Sequence, residues 1–150
     1  MSNLFQQLTC ADRHRRTLIT QLLNEGTDCY RLFHGVSEGR PGLSVDRYGS
    51  LILVQVASRL PLEPPELDIL KSYFPSLPMV IAGREGARLE LQWESVPGLW
   101  SSRFQPRELG LEFALQLSRA HRDPQLFLDF RAAKRRLRGQ LRGWGQAVSV

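Results

Sequence analysis

Few residues in this 150-residue chain have the type and spacing to do chemistry. Cys10 and Cys29, its two cysteines, stand with His14, His34 and His121 at no spacing that resembles a zinc site, so two ordinary thiols and no metal are expected. Gly35, Gly39 and Gly42 are wrongly spaced for a phosphate-cradling loop and precede a hairpin rather than a helix. The carboxylates are dispersed, so spacing alone selects no general acid/base pair. Positive charge, by contrast, is concentrated. Arg119, Arg122, Arg131, Lys134, Arg135, Arg136, Arg138 and Arg142 face only Asp123 and Asp129 in the same stretch, a net +6 in a chain whose formal charge is +5. Arginine's planar fork suits phosphate oxygens. A basic run of this kind fits a face that tracks a nucleic-acid backbone, or a solvated helix face.

The elements that carry these residues follow from periodicity. Thr9 and Asp12 resemble a capping box ahead of Leu18, Ile19, Leu22 and Leu23, which predicts a helix ending at Gly26. Arg13, His14, Arg15 and Arg16 in its first half read as a solvated face. Leu43–Tyr48 and Leu51–Ala57 flank Gly49-Ser50 and predict a hairpin. Residues 66–74 predict a short helix stopped by Pro75, and 79–82 with 87–93 a second strand pair. Leu111, Phe113, Leu115 and Leu117 alternate with Glu112, Ala114 and Gln116, the clearest strand pattern in the chain. From Asp129 the period becomes helical. Phe130, Ala133, Leu137, Leu141 and Trp144 fall on one side and the basic residues on the others, with Asp129 as N-cap and Gly143 closing the helix. Residues 146–150 read as the opening of a strand that would need a βαβ continuation to be buried, so the chain is expected to stop at the entrance of a further domain.

No apolar run approaches the roughly 20 residues that span a bilayer. The first ten residues lack the basic start and apolar stretch of a secretory signal. A cytoplasmic protein with no membrane partner is expected.

The run YRLFHGVSEGRPGLSVDRYG, residues 30–49, resembles the signature that opens the central domain of bacterial S-adenosylmethionine-dependent large-subunit ribosomal RNA methyltransferases of the cytosine-5 type. In that family the run has the form Y-R-L-x-(H/N)-G-E-x-D-G-x-P-G-L-x-V-D-R-Y-G. A second stretch, AHRDPQLFLDFR at 120–131, is similar to the family segment ending in F-L-D-x-R just before the methyltransferase domain. The likeness covers about residues 30–150. It departs from many relatives in two respects: no RNA-binding domain of the PUA type precedes Tyr30 in this sequence, and their G-Q-K-T-G is not found before Phe127.

The residue patterns and the resemblance together imply an α+β fold in three parts. Residues 1–29 form an N-terminal helical segment. Residues 30–118 form a central α+β domain of antiparallel hairpins with a short helix between them. Residues 119–150 form a connector, in which a basic helix leads into the first strand of a Rossmann-like methyltransferase domain. The family's glycine-containing cofactor turn, D-P-P-type motif and nucleophilic cysteine would lie beyond Val150, so the catalytic residues are unassigned here and expected beyond Val150. The implied cofactor of the whole protein is S-adenosylmethionine, which this portion alone is expected not to bind. The implied partners are RNA, with ribosomal RNA foremost, and the protein's own C-terminal methyltransferase domain.

Within the chain, Phe127, Asp129 and Arg131 are the candidate cofactor contacts. Phe127 either belongs to the core or lines a base pocket, and Asp129 is a helix cap or a group at the active-site mouth. Arg131 reaches the cofactor carboxylate, an RNA phosphate, or only solvent. Arg131, Lys134, Arg135 and Arg138 are the candidate RNA contacts. Asp46, Arg47 and Tyr48 are expected to stabilise the hairpin. The alternative function is a non-catalytic RNA-binding or structural module.

Overall fold

The computed structural model describes residues 3–117 and 131–147, the side chains of the latter as far as residue 140. Helix α1 (Leu4–Asn24) is followed by β1 (Cys29–His34), the single turn α2 (Gly35–Glu38), β2 (Leu43–Tyr48) and β3 (Leu51–Ala57). Helix α3 (Pro64–Tyr73) then leads to β4 (Met79–Glu85) and β5 (Arg88–Glu94). A 3₁₀ turn (Leu99–Ser101) precedes four two-residue strands, β6 (Arg103–Phe104), β7 (Arg107–Glu108), β8 (Leu111–Glu112) and β9 (Leu115–Gln116), and α4 (Arg131–Ala147) comes last. The α+β class holds, with an N-terminal helix, hairpins separated by a short helix, and a C-terminal helix.

The two hairpins are halves of one five-stranded sheet in the order β1-β2-β3-β4-β5. The pairs are antiparallel except β3–β4, which is parallel. Parallel neighbours need a crossover, and α3 supplies it. The order explains why Leu51–Ala57 reads as a nearly unbroken apolar run: β3 is central and covered on both faces. One face packs Val45, Ile52, Val54, Val56 and Ile81 against Leu4, Leu8 and Ala11 of α1 and Leu70 of α3. The other packs Tyr48, Leu51, Leu53, Val80 and Ala82 against Leu99, Phe104, Leu115 and Leu117. Each fully buried Leu, Ile or Val contributes about 1.5–3 kcal/mol.

Several expected boundaries shift, each for a local reason. Helix α1 begins at Leu4 rather than after Thr9, because Leu4, Leu8 and Ala11 already form the buried stripe. Thr9 lies inside the helix, where its hydroxyl donates to the Phe5 carbonyl. The helix ends as the sequence suggests. Gly26 adopts φ +74°, its N–H donates to the Leu23 carbonyl and that of Thr27 to Leu22, closing a Schellman motif. Helix α3 starts two residues before Glu66, at Pro64, where a missing N–H costs nothing, and the Glu66 carboxylate accepts the Glu63 N–H.

The strand expected at 111–117 is divided. Leu111–Glu112 pairs with β7 and Leu115–Gln116 with β6. Pro106 separates β6 from β7 and cannot donate to a ladder, although its carbonyl accepts the Phe113 N–H. Leu115 and Leu117 are buried as the alternation predicts, but Leu111 is 65 % exposed. Helix α4 continues past Gly143 to Ala147, so Gly143 does not close it and the expected strand does not begin at 146–147. Asp129, Phe130 and residues 148–150 lie outside the described residues.

Candidate functional site

The chemistry-bearing groups converge where the end of α1, the start of β1, the β7–β8 hairpin and α4 meet. Leu109 and Gly110 form the hairpin's two-residue turn with φ of +53° and +79°, the left-handed pair of a type I′ turn. A leucine in that conformation is costly, and its surroundings hold it there. Its N–H donates to the Thr27 hydroxyl at 2.9 Å, its carbonyl accepts from Arg138 at 2.8 Å, and its side chain is buried. The Asp28 carboxylate accepts the Arg107 N–H at 2.6 Å, and the Asp28 N–H donates to the Arg107 carbonyl.

The turn fixes Glu108, whose side chain is fully buried. A buried carboxylate is tolerated only when paired. Arg131 lies 3.1 Å from it and Lys134 is in ion-pair contact with its other oxygen. Arg131 also donates to the Cys29 carbonyl. One turn further along α4, Arg135 pairs with Glu25 at 2.8 Å.

Helix α4 therefore seats itself by charge. Arg131, Lys134, Arg135 and Arg138, at spacing i, i+3, i+4 and i+7, lie along one face and bond to the body of the protein. Ala133 and Leu137, expected on the packed side, are exposed, and Leu137 reaches 57 %. Glu108 decides this orientation, because leaving a buried carboxylate unpaired costs more than exposing one leucine. Arg136 is exposed and makes no ion pair or side-chain hydrogen bond among the described residues.

Of the residues singled out from the sequence, the structure brings Arg131, Lys134, Arg135 and Arg138 together on α4, while Phe127 and Asp129 lie outside the described residues. Sequence reasoning missed Glu108, Glu25 and Thr27. The only signal for Glu108 was its place just before Leu109-Gly110, and its burial arises from contacts distant in sequence.

The motif at 30–49 builds a lattice of ion pairs along the sheet. Asp46, fully buried on β2, takes Nε and Nη2 of Arg31 on β1 at 2.8 and 3.0 Å. Arg47 donates to the Gly49 carbonyl at 2.8 Å and to the Tyr30 hydroxyl at 3.2 Å, tying the turn to β1. Arg40 clamps Glu66 of α3 with bonds of 2.6 and 2.8 Å. Those bonds, more than any other cause, hold the Glu66 carboxyl below its ordinary pKa and raise Arg40 above its own. These contacts join strands and helix: Arg47 holds the turn of the β2–β3 hairpin as expected, whereas Asp46 ties β1 to β2 and Tyr48 packs in the core on the sheet's second face.

Burial, reinforced by Glu108, pushes the Cys29 thiol up to about 11. It stays protonated near neutrality, and a protonated thiol is a poor nucleophile. The described residues also fit S-adenosylmethionine poorly. Among them no glycine-rich turn follows a parallel strand to meet an acidic residue on the next, and Arg131 is engaged with Glu108 and Cys29.

No protein-family model and no curated protein matches this sequence. Solved structures do. The chain is similar to a Streptococcus mutans protein assigned as an S-adenosylmethionine-dependent methyltransferase, with a TM-score of 0.67 and 17 % identity over 89 % of this chain and 34 % of that one. It is also similar to SMU.776, assigned as a methyltransferase and complexed with SAH, with a TM-score of 0.61 and 18 % identity over 86 % of this chain and 33 % of that one. The shared property is the fold, and the chain spans about a third of the length of each of these structures.

Proposed function

We propose that this chain is the substrate-binding portion of an S-adenosylmethionine-dependent methyltransferase that acts on RNA, with ribosomal RNA the first candidate. The observation that carries the reading is the fold match to two chains assigned as methyltransferases, one of them complexed with SAH, together with the length each has beyond the matched third. The run at 30–49, which resembles the ribosomal RNA enzymes, supports RNA as the substrate. In this reading the cofactor and catalytic groups sit in a methyltransferase domain of the whole protein, in line with the two thirds of each matched structure that this chain does not cover.

In this portion, α4 is the basic element. Arg131 and Lys134 neutralise Glu108 and position the helix. RNA phosphates are then met first by Arg136, exposed and without a partner among the described residues, flanked by Arg135 and Arg138, which are partly exposed and also bonded to Glu25 and the Leu109 carbonyl.

Titrating the chain with a single-stranded RNA oligonucleotide at increasing salt tests this. Affinity should fall with a log–log slope of about −0.7 per contacted phosphate, and Arg136→Gln should reduce the slope by about that amount. Binding that ignores salt would exclude phosphate contacts. Methyl transfer to RNA by the whole protein tests the reaction itself.

A further inference from the structure

The run at 30–49 supplies ion pairs along the sheet, and its glycines shape a surface beside it. Gly39 and Gly42 adopt φ of +84° and +83°, a left-handed conformation that favours glycine. A Cβ on Gly39 would stand 3.0 Å from Nε2 of Gln7, and one on Gly42 would stand 3.1 Å from Cδ1 of Leu60. The two positions thus leave room for the Gln7 amide on α1 and for the Leu60 side chain ahead of α3. Around these side chains opens a groove of about 890 Å3, walled by Asn3, Gln7, Arg59, Leu60, Pro61 and Ile69.

Most of the charge bordering the groove is already engaged. Arg40 donates to both oxygens of Glu66 and to the Pro41 and Pro61 carbonyls. The Glu63 carboxylate caps α3, whose N-terminal dipole offsets its charge. Arg59 is exposed, and neither it nor the side-chain amides of Asn3 and Gln7 make a hydrogen bond or ion pair among the described residues. Arg59 is therefore the cation of the groove left for a ligand.

What remains is one guanidinium, two amides that each carry a donor and an acceptor, and an apolar wall of Leu60, Pro61 and Ile69. Leu60 is 46 % exposed, apolar area that a ligand would take out of water. The volume lies in the range of roughly 300–1,000 Å3 that small-molecule sites occupy. A lone oxyanion would leave the apolar wall bare, and an apolar ligand would leave the guanidinium and amides unused. A nucleotide uses all three: its base covers the wall, the base edge meets the amides, and its phosphate meets Arg59. In a duplex the base faces are stacked away, so the nucleotide is an unpaired one.

We propose that this groove is a subsite for one unpaired nucleotide of the RNA, an inference that rests on the RNA reading above. Gln7 stands near the start of α1, and Glu25, where Arg135 of α4 is bound, stands at its end. At 1.5 Å per residue the two lie about 27 Å apart. The groove is thus separate from the basic helix, and it adds a contact to the base where α4 offers contacts to phosphate.

Two-dimensional amide NMR of the chain, titrated separately with adenosine monophosphate, inorganic phosphate and a single-stranded RNA oligonucleotide, tests it. The mononucleotide and the RNA should shift the amides of Gln7, Gly39 and Leu60 saturably. Inorganic phosphate, lacking the base, should bind there about tenfold more weakly. Arg59→Gln should weaken the mononucleotide response about tenfold and Gln7→Ala about fivefold, with the spectrum away from the groove unchanged. Phosphate that binds as well as the mononucleotide would overturn the nucleotide assignment. RNA that shifts α4 amides and leaves the groove unmoved would overturn the subsite while the RNA reading stands. A mononucleotide that fills the groove while RNA binds nowhere would overturn the RNA assignment and the reading beneath it. No response to any probe, or responses equal in wild type and both variants, would overturn the site altogether.

Discussion

The Arg131 guanidinium lies 3.1 Å from the Glu108 carboxylate, joining the C-terminal helix to a hairpin turn 23 residues earlier. The carboxylate is fully buried and Arg131 is 13 % exposed. In such a setting, removing one partner costs far more than the pair contributes over an apolar replacement. Glu108→Gln should lower unfolding stability by about 3 kcal/mol, read from the shift of a urea midpoint at unchanged slope. The double variant Glu108→Gln/Lys134→Met should regain part of that loss, because one uncompensated cation is gone. A loss below about 0.5 kcal/mol, the level of an ordinary surface change, would show that α4 is not seated through Glu108.

Glu66 sets a pH dependence. Its pKa is held below the ordinary carboxyl value of 4.5, foremost by the hydrogen bonds from Arg40. A depressed folded-state pKa gives stability that is present above the unfolded value and is lost as pH falls through the folded one. Stability should therefore decline below about pH 4.5, and Glu66→Gln should flatten that limb and lower stability at pH 7. An unchanged acid limb in the variant would contradict the clamp.

The two thiols should behave differently. Cys10 is exposed, whereas Cys29 is buried and its pKa is raised from 9.0 to about 11. The fold favours the protonated form of Cys29, so its contribution to stability is complete below pH 9 and fades as pH rises toward 11. At pH 8 a thiol reagent should titrate one cysteine rapidly and the second only on unfolding. Two fast thiols would contradict the burial of Cys29.

Much of the sheet was legible in the sequence. The β2–β3 hairpin announces itself through Gly49-Ser50 between apolar runs, and Pro75 and Gly26 mark helix ends correctly. The parallel β3–β4 pair was not legible, since two hairpins separated by a helix read the same whether or not their inner strands meet. The stretch at 111–117 misled because alternation reports which residues face inward along one strand, not that the strand changes partner midway. The orientation of α4 also misled. Hydrophobic periodicity places Ala133 and Leu137 inward, but Glu108 outweighs them, and its burial depends on a turn that no local pattern reveals. The basic cluster itself was legible, as charge is read directly from composition, while the division between members bonded to the body of the protein and the exposed Arg136 required the tertiary contacts.

The proposed RNA methyltransferase activity of the protein is tested by label transfer. The protein containing this chain is incubated with S-adenosylmethionine carrying a labelled methyl group and RNA from a strain lacking the gene, and the label is then mapped. Label confined to a discrete nucleotide, absent when RNA from the parent strain is used, is the predicted result. Transfer to protein or to a small molecule, with none to any RNA, would contradict it.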